Sequence, residues 1–185
     1  LEIGAATPKL ISMSQLFREN GWRTILVEPN PEFIRQHIEL GNEIYPYAAG
    51  EEDKNDVDFT ICTYAGKQHS FSSFKVIPEY ITTCGFKNEN DIFRSNIKVN
   101  MRKISSILEE ANEKEKINAI DFLSIDIEGY EIQALIHFPW QKYSPSILAV
   151  ENLLKNEEYN RVLSEIGYEL VETIGEINQI YKLKK

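Results

Sequence analysis

Short apolar, β-branched runs separated by stretches of helical period constrain this chain more than any other feature. Leu1–Ile3 runs into Gly4-Ala5-Ala6, Thr24–Val27 ends at Glu28-Pro29-Asn30-Pro31, and Glu43–Ala49 reads as a third strand. Between the first two, Lys9–Glu19 carries Leu10, Met13, Leu16 and Phe17 at helical spacing and stops at Asn20-Gly21. Between the next two, Pro31 opens a helix capped by Asn30 that brings Phe33, Ile34, His37, Ile38 and Leu40 near one another. Strands that alternate with helices pair in parallel, because a crossover that holds a helix returns the chain in the same direction.

The pattern resumes at Ala119. Ile120–Ile127 reads as a central strand, Tyr130–Phe138 as a helix, Ser146–Val150 as a buried strand and Glu157–Ile166 as a helix. Tyr168–Thr173 and Gln179–Leu183 flank a turn and fit an antiparallel hairpin. The fold class is therefore α/β: a Rossmann-like, mostly parallel twisted sheet with helices on both faces and a C-terminal antiparallel hairpin. The middle is less regular. Val57–Tyr64 and Ile92–Val99 are candidate strands, Ala65–Phe74 a loop, Pro78–Asn90 a segment with one short helical turn, and Ser105–Lys116 an exposed helix. No linker or repeat divides the 185 residues, so 1–185 is expected to form one domain. Leu1-Glu2-Ile3-Gly4 reads as the end of a strand expected to begin upstream.

Composition removes several classes of function. The formal charge of −9 lacks the basic footprint of a nucleic-acid binder. No apolar run approaches the roughly 20 residues of a membrane span. Cys62 and Cys84 are too few for a disulfide framework and suggest reduced thiols in a cytoplasmic protein.

In an open α/β sheet, ligands bind outside the carboxyl ends of the strands. Here those ends carry Gly4-Ala5-Ala6, Glu28, Tyr47-Ala48-Ala49, Asp126 with Glu128, and Glu151-Asn152. An acid ending the second strand, roughly 20 residues or more past a glycine turn, is where nucleotide folds hold a ribose diol. The other reading of Glu28 is an acid stabilised by a helix N-terminus. A turn with one glycine offers little backbone approach to a pyrophosphate. The residues lean toward an adenosyl ligand without a diphosphate, and so toward S-adenosylmethionine over NAD or FAD.

Leu1-Glu2-Ile3-Gly4-Ala5-Ala6-Thr7-Pro8, Ser12 and Gly21-Trp22-Arg23-Thr24-Ile25-Leu26-Val27-Glu28-Pro29-Asn30-Pro31 resemble the opening of the FkbM-type methyltransferases. Ile120–Glu131 is similar to that family's second signature, and Ile147–Asn152 with the closing hairpin fits its tail. The likeness covers nearly the whole chain except Glu51–Lys98. Two features depart from it: Glu2 stands where the family often has Asp, and Met13-Ser14 where Asn-Thr is usual. The resemblance implies a class I S-adenosylmethionine-dependent methyltransferase that acts on a hydroxyl of a sugar, glycan or natural product, as in polysaccharide biosynthesis. The alternative is a module that binds the cofactor or a protein partner without catalysis. A nicotinamide oxidoreductase is disfavoured by the single-glycine turn.

On this reading Glu2, Gly4 and Ala5 lie under the methionine part of the cofactor, with Glu2 meeting its ammonium. Glu28 and Pro29 hold the ribose, Ala48 and Ala49 flank adenine, and Asp126 lies beside the methyl. Asp126, Glu128 and the loop residue His69 are candidate catalytic bases, although an exposed loop histidine has a blander explanation. Asp126, Glu151 and Asn152 form a hard oxygen set suited to magnesium by analogy with catechol-type O-methyltransferases. Glu131 reads as a helix N-terminal acid, and His37 and His137 as surface or core-edge histidines. Tyr64, Phe71, Phe74 and Tyr80 crowd the segment 51–98, where acceptor choice is expected to reside. The expected partner is a small-molecule or glycan acceptor.

Overall fold

The computed structural model describes residues 1–9, 12–65, 67–70, 72–74, 92–175 and 177–184. The apolar runs become β1 (Glu2–Ile3), β2 (Leu26–Val27) and β3 (Ile44–Tyr45). The later ones become β8 (Phe122–Ile125), β9 (Ile147–Glu151), β10 (Tyr168–Ile174) and β11 (Asn178–Leu183). They form one seven-stranded sheet in the order β10-β11-β9-β8-β1-β2-β3. All pairs are parallel except those of β11, which runs antiparallel to both β9 and β10. The consecutive residues Leu123, Ser124 and Ile125 are all buried. Successive strand residues face opposite sides, so both faces of the sheet are covered.

Five helices are described: α1 (Gln15–Glu19), α2 (Pro31–Glu39), α3 (Ile104–Lys114), α4 (Glu131–Ile136) and α5 (Glu158–Glu165). The α2 start follows its sequence: Pro31 occupies the first turn and the Asn30 side chain accepts from the Glu32 amide at 2.9 Å. Among the described residues no helix is long and apolar enough to cross a membrane.

Several sequence expectations need correction. The helix expected over Lys9–Glu19 narrows to α1, with Met13 and Leu16 exposed; Leu10 lies outside the described residues. On α2, Ile38 and the adjoining Leu40 face solvent, whereas His37 is fully buried. The helix expected to be exposed after Ser105 is amphipathic: Ile104, Ile107, Leu108 and Ala111 recur at i, i+3, i+4 and i+7 and are buried in the core.

The largest departure lies in the middle. The expected third strand is two strands that part at Pro46, which has no amide to continue a ladder. β3 stays in the main sheet, and β4 (Tyr47–Ala49) enters a second one. That sheet has the order β4-β7-β5-β6, with β5 Lys54–Tyr64, β6 Lys67–Gln68 and β7 Ile92–Arg102. β5 and β7 form a long antiparallel pair, and Phe59, Ile61, Val99 and Ala48 make its own small core. The short helical turn expected in Pro78–Asn90, with Tyr80 and Phe71, lies outside the described residues.

Candidate active site

The order of the main sheet reverses about β1: the chain runs outward through β2 and β3, then returns to lay β8 on the other side. The carboxyl ends of β1 and β8 therefore open side by side, at the place where open α/β sheets leave a crevice. Ile3 pairs with Ile125, so Gly4 and Asp126 follow as neighbours. A Cβ at Gly4 would fall 1.8 Å from the Asp126 carbonyl oxygen, and Gly4 has φ +81°. The glycine is required by the contact between strands.

The crevice is a cleft between the main sheet and the second one. The main sheet contributes Gly4, Glu28, Pro29, Asp126 and Glu128; the second contributes Ala48, Ala49 and Phe59. Ser70, Ser72, Phe74 and Tyr130 complete the wall. Phe74 packs edge-on against both Phe59 (5.5 Å between centroids) and Tyr130 (5.2 Å), which ties the two sheets together across the cleft.

Glu28 is buried at the end of β2. Its Oε2 accepts from the Ala6 amide at 2.9 Å and its Oε1 from the Asn30 amide at 2.8 Å. Burial still pushes its carboxyl up to about 7, helped by repulsion from Glu2 and Asp126. Ala6 has φ +43°, a left-handed conformation for a residue with a Cβ.

Glu2 and Ala5, expected under the cofactor, are not among the residues that line the cleft. Glu2 Oε1 accepts from the Met13 amide at 2.7 Å, and Oε2 from the Ser12 and Ser14 hydroxyls, with Arg18 at 3.8 Å. The carboxylate gathers the segment before α1 onto the end of β1. Its donors come from its own chain.

Asp126, Glu131 and Glu151 each present an oxygen within 4.8 Å of the others. The β8–β9 register, Ile125 opposite Val150, sets Asp126 beside Glu151. Burial raises both carboxyls, Glu151 the more, with repulsion from Glu131 acting on Asp126 and repulsion from Asp126 and Glu128 acting on Glu151. Such a pair needs one positive charge between its oxygens, a proton or a cation. Glu151 Oε2 is buried with no partner among the described residues, so the donor set fits a hard cation.

Asn152, the third expected ligand, follows Glu151 and bonds into the loop. Its Oδ1 accepts from the Asn156 amide, and its Nδ2 donates to the Asn156 carbonyl and to Gln179 Oε1. It closes the loop after β9. Glu131 takes the third place, and its oxygens hold structure too: Oε1 accepts from the Ile127 and Gly129 amides and Oε2 from the Tyr159 hydroxyl. Glu128 lines the cleft at φ +60°, and burial among Asp126, Glu131 and Glu28 raises its carboxyl well above the usual range.

His69 does not line the cleft. Its amide donates to the Cys62 carbonyl and its carbonyl accepts from the Ser72 hydroxyl, while burial lowers the imidazole's proton affinity. It shapes the loop that places Ser70 and Ser72. Tyr64 is exposed near the far end of β5, whereas Phe74 and Tyr130 reach the cleft. Sequence reasoning missed Tyr130 as a wall residue and the buried His37. Tyr130 stood next to the Asp126–Glu128 turn, which was a usable signal; nothing local marked His37.

The family model described as the methyltransferase FkbM domain matches residues 2–180. Among solved structures, methyltransferase FkbM from Methylobacillus flagellatus KT superimposes with a TM-score of 0.52 at 12% identity, over 98% of this chain and 42% of that one. This likeness concerns the fold, and the chain spans less than half of that protein's length. No curated protein matches the chain.

Proposed function

The chain belongs to the FkbM methyltransferase family, and from that premise we propose that it moves a methyl group from S-adenosylmethionine to a hydroxyl oxygen of a sugar, glycan or natural product. The observation that carries this reading is the convergence of Glu28, Asp126 and Glu128 on one cleft at the reversal of strand order, opposite the small residues Ala48 and Ala49.

The cleft suits the cofactor. A carboxylate accepts both hydroxyls of a ribose diol, and Glu28 is already aligned by two backbone amides. Ala48 and Ala49 leave room for a flat adenine against Pro29 and Phe59. When bound, the cofactor supplies an electrophilic sulfonium methyl.

The chain's residues supply alignment and proton transfer. Holding the acceptor oxygen in line with the methyl is worth roughly 7–11 kcal/mol in well-oriented systems. The new bond forms between that oxygen and the methyl carbon as the carbon–sulfur bond breaks. Asp126, supported by a hydrogen bond from protonated Glu151, accepts the hydroxyl proton. Glu128, held in a left-handed turn, orients the acceptor. Ser70, Ser72, Phe74 and Tyr130 form the acceptor wall, combining hydroxyls with ring faces that suit a sugar. Asp126, Glu131 and Glu151 are the residues that would hold a magnesium ion, whose chemistry is to acidify and orient a bound hydroxyl.

Isothermal titration of S-adenosylhomocysteine into the protein tests the reading, with Glu28→Ala as control. Binding that Glu28→Ala abolishes supports it. No binding by folded protein overturns it.

A further inference from the structure

The turn after β1 is gripped from both sides. The Ala6 amide donates to Glu28 Oε2 at 2.9 Å, and the Ala6 carbonyl accepts from His37 Nε2 at 3.1 Å. His37 lies on α2, fully buried, a long way along the chain from the turn. Its other nitrogen, Nδ1, is 3.0 Å from Asn42 Nδ2. A carbonyl needs a donor and an amide nitrogen can only donate, so the proton resides on Nε2 and Nδ1 accepts.

The held residue, Ala6, sits at φ +43°, a left-handed conformation that a residue with a Cβ keeps only where surroundings enforce it. Glu28 and His37 are what enforce it. Glu28 in turn keeps its orientation through the same residue: the Ala6 amide and carbonyl belong to the two peptide units that meet at its Cα, so freeing the carbonyl loosens the turn that aims the amide at the carboxylate.

We propose that His37 is a positioning residue, which fixes the Glu28 carboxylate through the backbone of Ala6 for binding the ribose of the cofactor. The role rests on the cofactor reading above. Burial depresses the basicity of His37, with Arg18 adding repulsion, and so keeps the ring neutral and in this tautomer.

The test compares wild type, His37→Ala and His37→Gln, because the glutamine amide reaches to where Nε2 stands. S-adenosylhomocysteine affinity is measured by titration calorimetry, and exchange of the Ala6 amide is measured by NMR without ligand. His37→Ala is expected to weaken binding roughly tenfold and to speed Ala6 exchange by a similar factor. His37→Gln is expected to restore both to within about threefold. A residue that only fills space would show no rescue by glutamine.

Folded His37→Ala with wild-type affinity and wild-type Ala6 exchange would overturn the proposal. Should His37→Ala fail to fold, His37→Gln and wild type decide: ring nitrogen shifts that place the proton on Nδ1, or glutamine with Ala6 exchange far above wild type, would overturn it. If wild type binds no S-adenosylhomocysteine while His37→Ala still frees Ala6, the cofactor reading fails and the grip on the turn stands.

Discussion

At the scale of single residues, the cleft concentrates carboxyls whose charges the fold holds at a cost. Glu28 has an ordinary value of 4.5 and is raised to about 7. The sign of its effect on folding follows: it favours the folded state below about 4.5, and that contribution is lost as pH rises through about 7. The proposed ribose binding has the opposite demand, since the ionised form accepts both hydroxyls. S-adenosylhomocysteine affinity is therefore expected to fall by up to tenfold per unit as pH drops below about 7, and Glu28→Gln should flatten that profile. Calorimetry across pH 5.5–8.5 checks this (a range set by roughly one and a half units around that midpoint). Asp126→Asn removes the proposed proton acceptor: methyl transfer should drop about a hundredfold or more, with S-adenosylhomocysteine binding retained. Equal activity in that variant would remove Asp126 from the chemistry.

Elements place these residues, and two contacts between elements matter most. Gly4 lets β1 and β8 end side by side, because a methyl group there would overlap the Asp126 carbonyl at 1.8 Å. Gly4→Ala is expected to cost more than about 3 kcal/mol in urea unfolding, since backbone and not a flexible side chain must yield. Glu131 binds the first turn of its helix to the strand before it, through the amides of Ile127 and Gly129, and reaches α5 through Tyr159. Both glutamates on this turn carry the same charge, yet Glu131 faces amides and a hydroxyl while Glu128 faces the cleft. Spacing alone told apart the turn and the helix start; it did not tell which carboxylate would be bonded to its own turn. Asn152 shows the same limit, since its partners Asn156 and Gln179 come from a loop and from β11.

For the whole molecule, the cleft is a property of two sheets and not of one. Ligand that bridges them should stabilise both as a unit. At a hundredfold excess over Kd, S-adenosylhomocysteine should add about 2.7 kcal/mol, or roughly 5–10 °C in Tm for a chain of this size, in a single transition. Two transitions, with only one shifted, would show that the second sheet does not share in binding. Magnesium offers a separate check on the Asp126–Glu151 pair. At pH 8, millimolar magnesium chloride is expected to raise Tm, and Glu151→Gln to remove the increment. A wild type indifferent to magnesium leaves the proton as the charge between the carboxyls.

Local chemistry was enough to determine much of this protein. Unbroken apolar runs need burial on both faces, so they announce central parallel strands. Pro31 after Asn30 announces a capped helix, and acids at strand ends announce where Glu28, Asp126 and Glu128 would gather. The tertiary structure alone decided what depends on partners distant in sequence. β5 finds β7 across the 75–91 segment, so a second sheet arises where alternation was weak. Pro46 hands the chain from one sheet to the other, which moves Ala48 and Ala49 from the end of a main-sheet strand into a strand of the second sheet. His37 looks like a core-edge histidine until the Ala6 carbonyl and Asn42 surround it. Hydrophobic period is a property of neighbours along the chain, whereas hydrogen-bond saturation and enclosure depend on which distant groups the fold brings together.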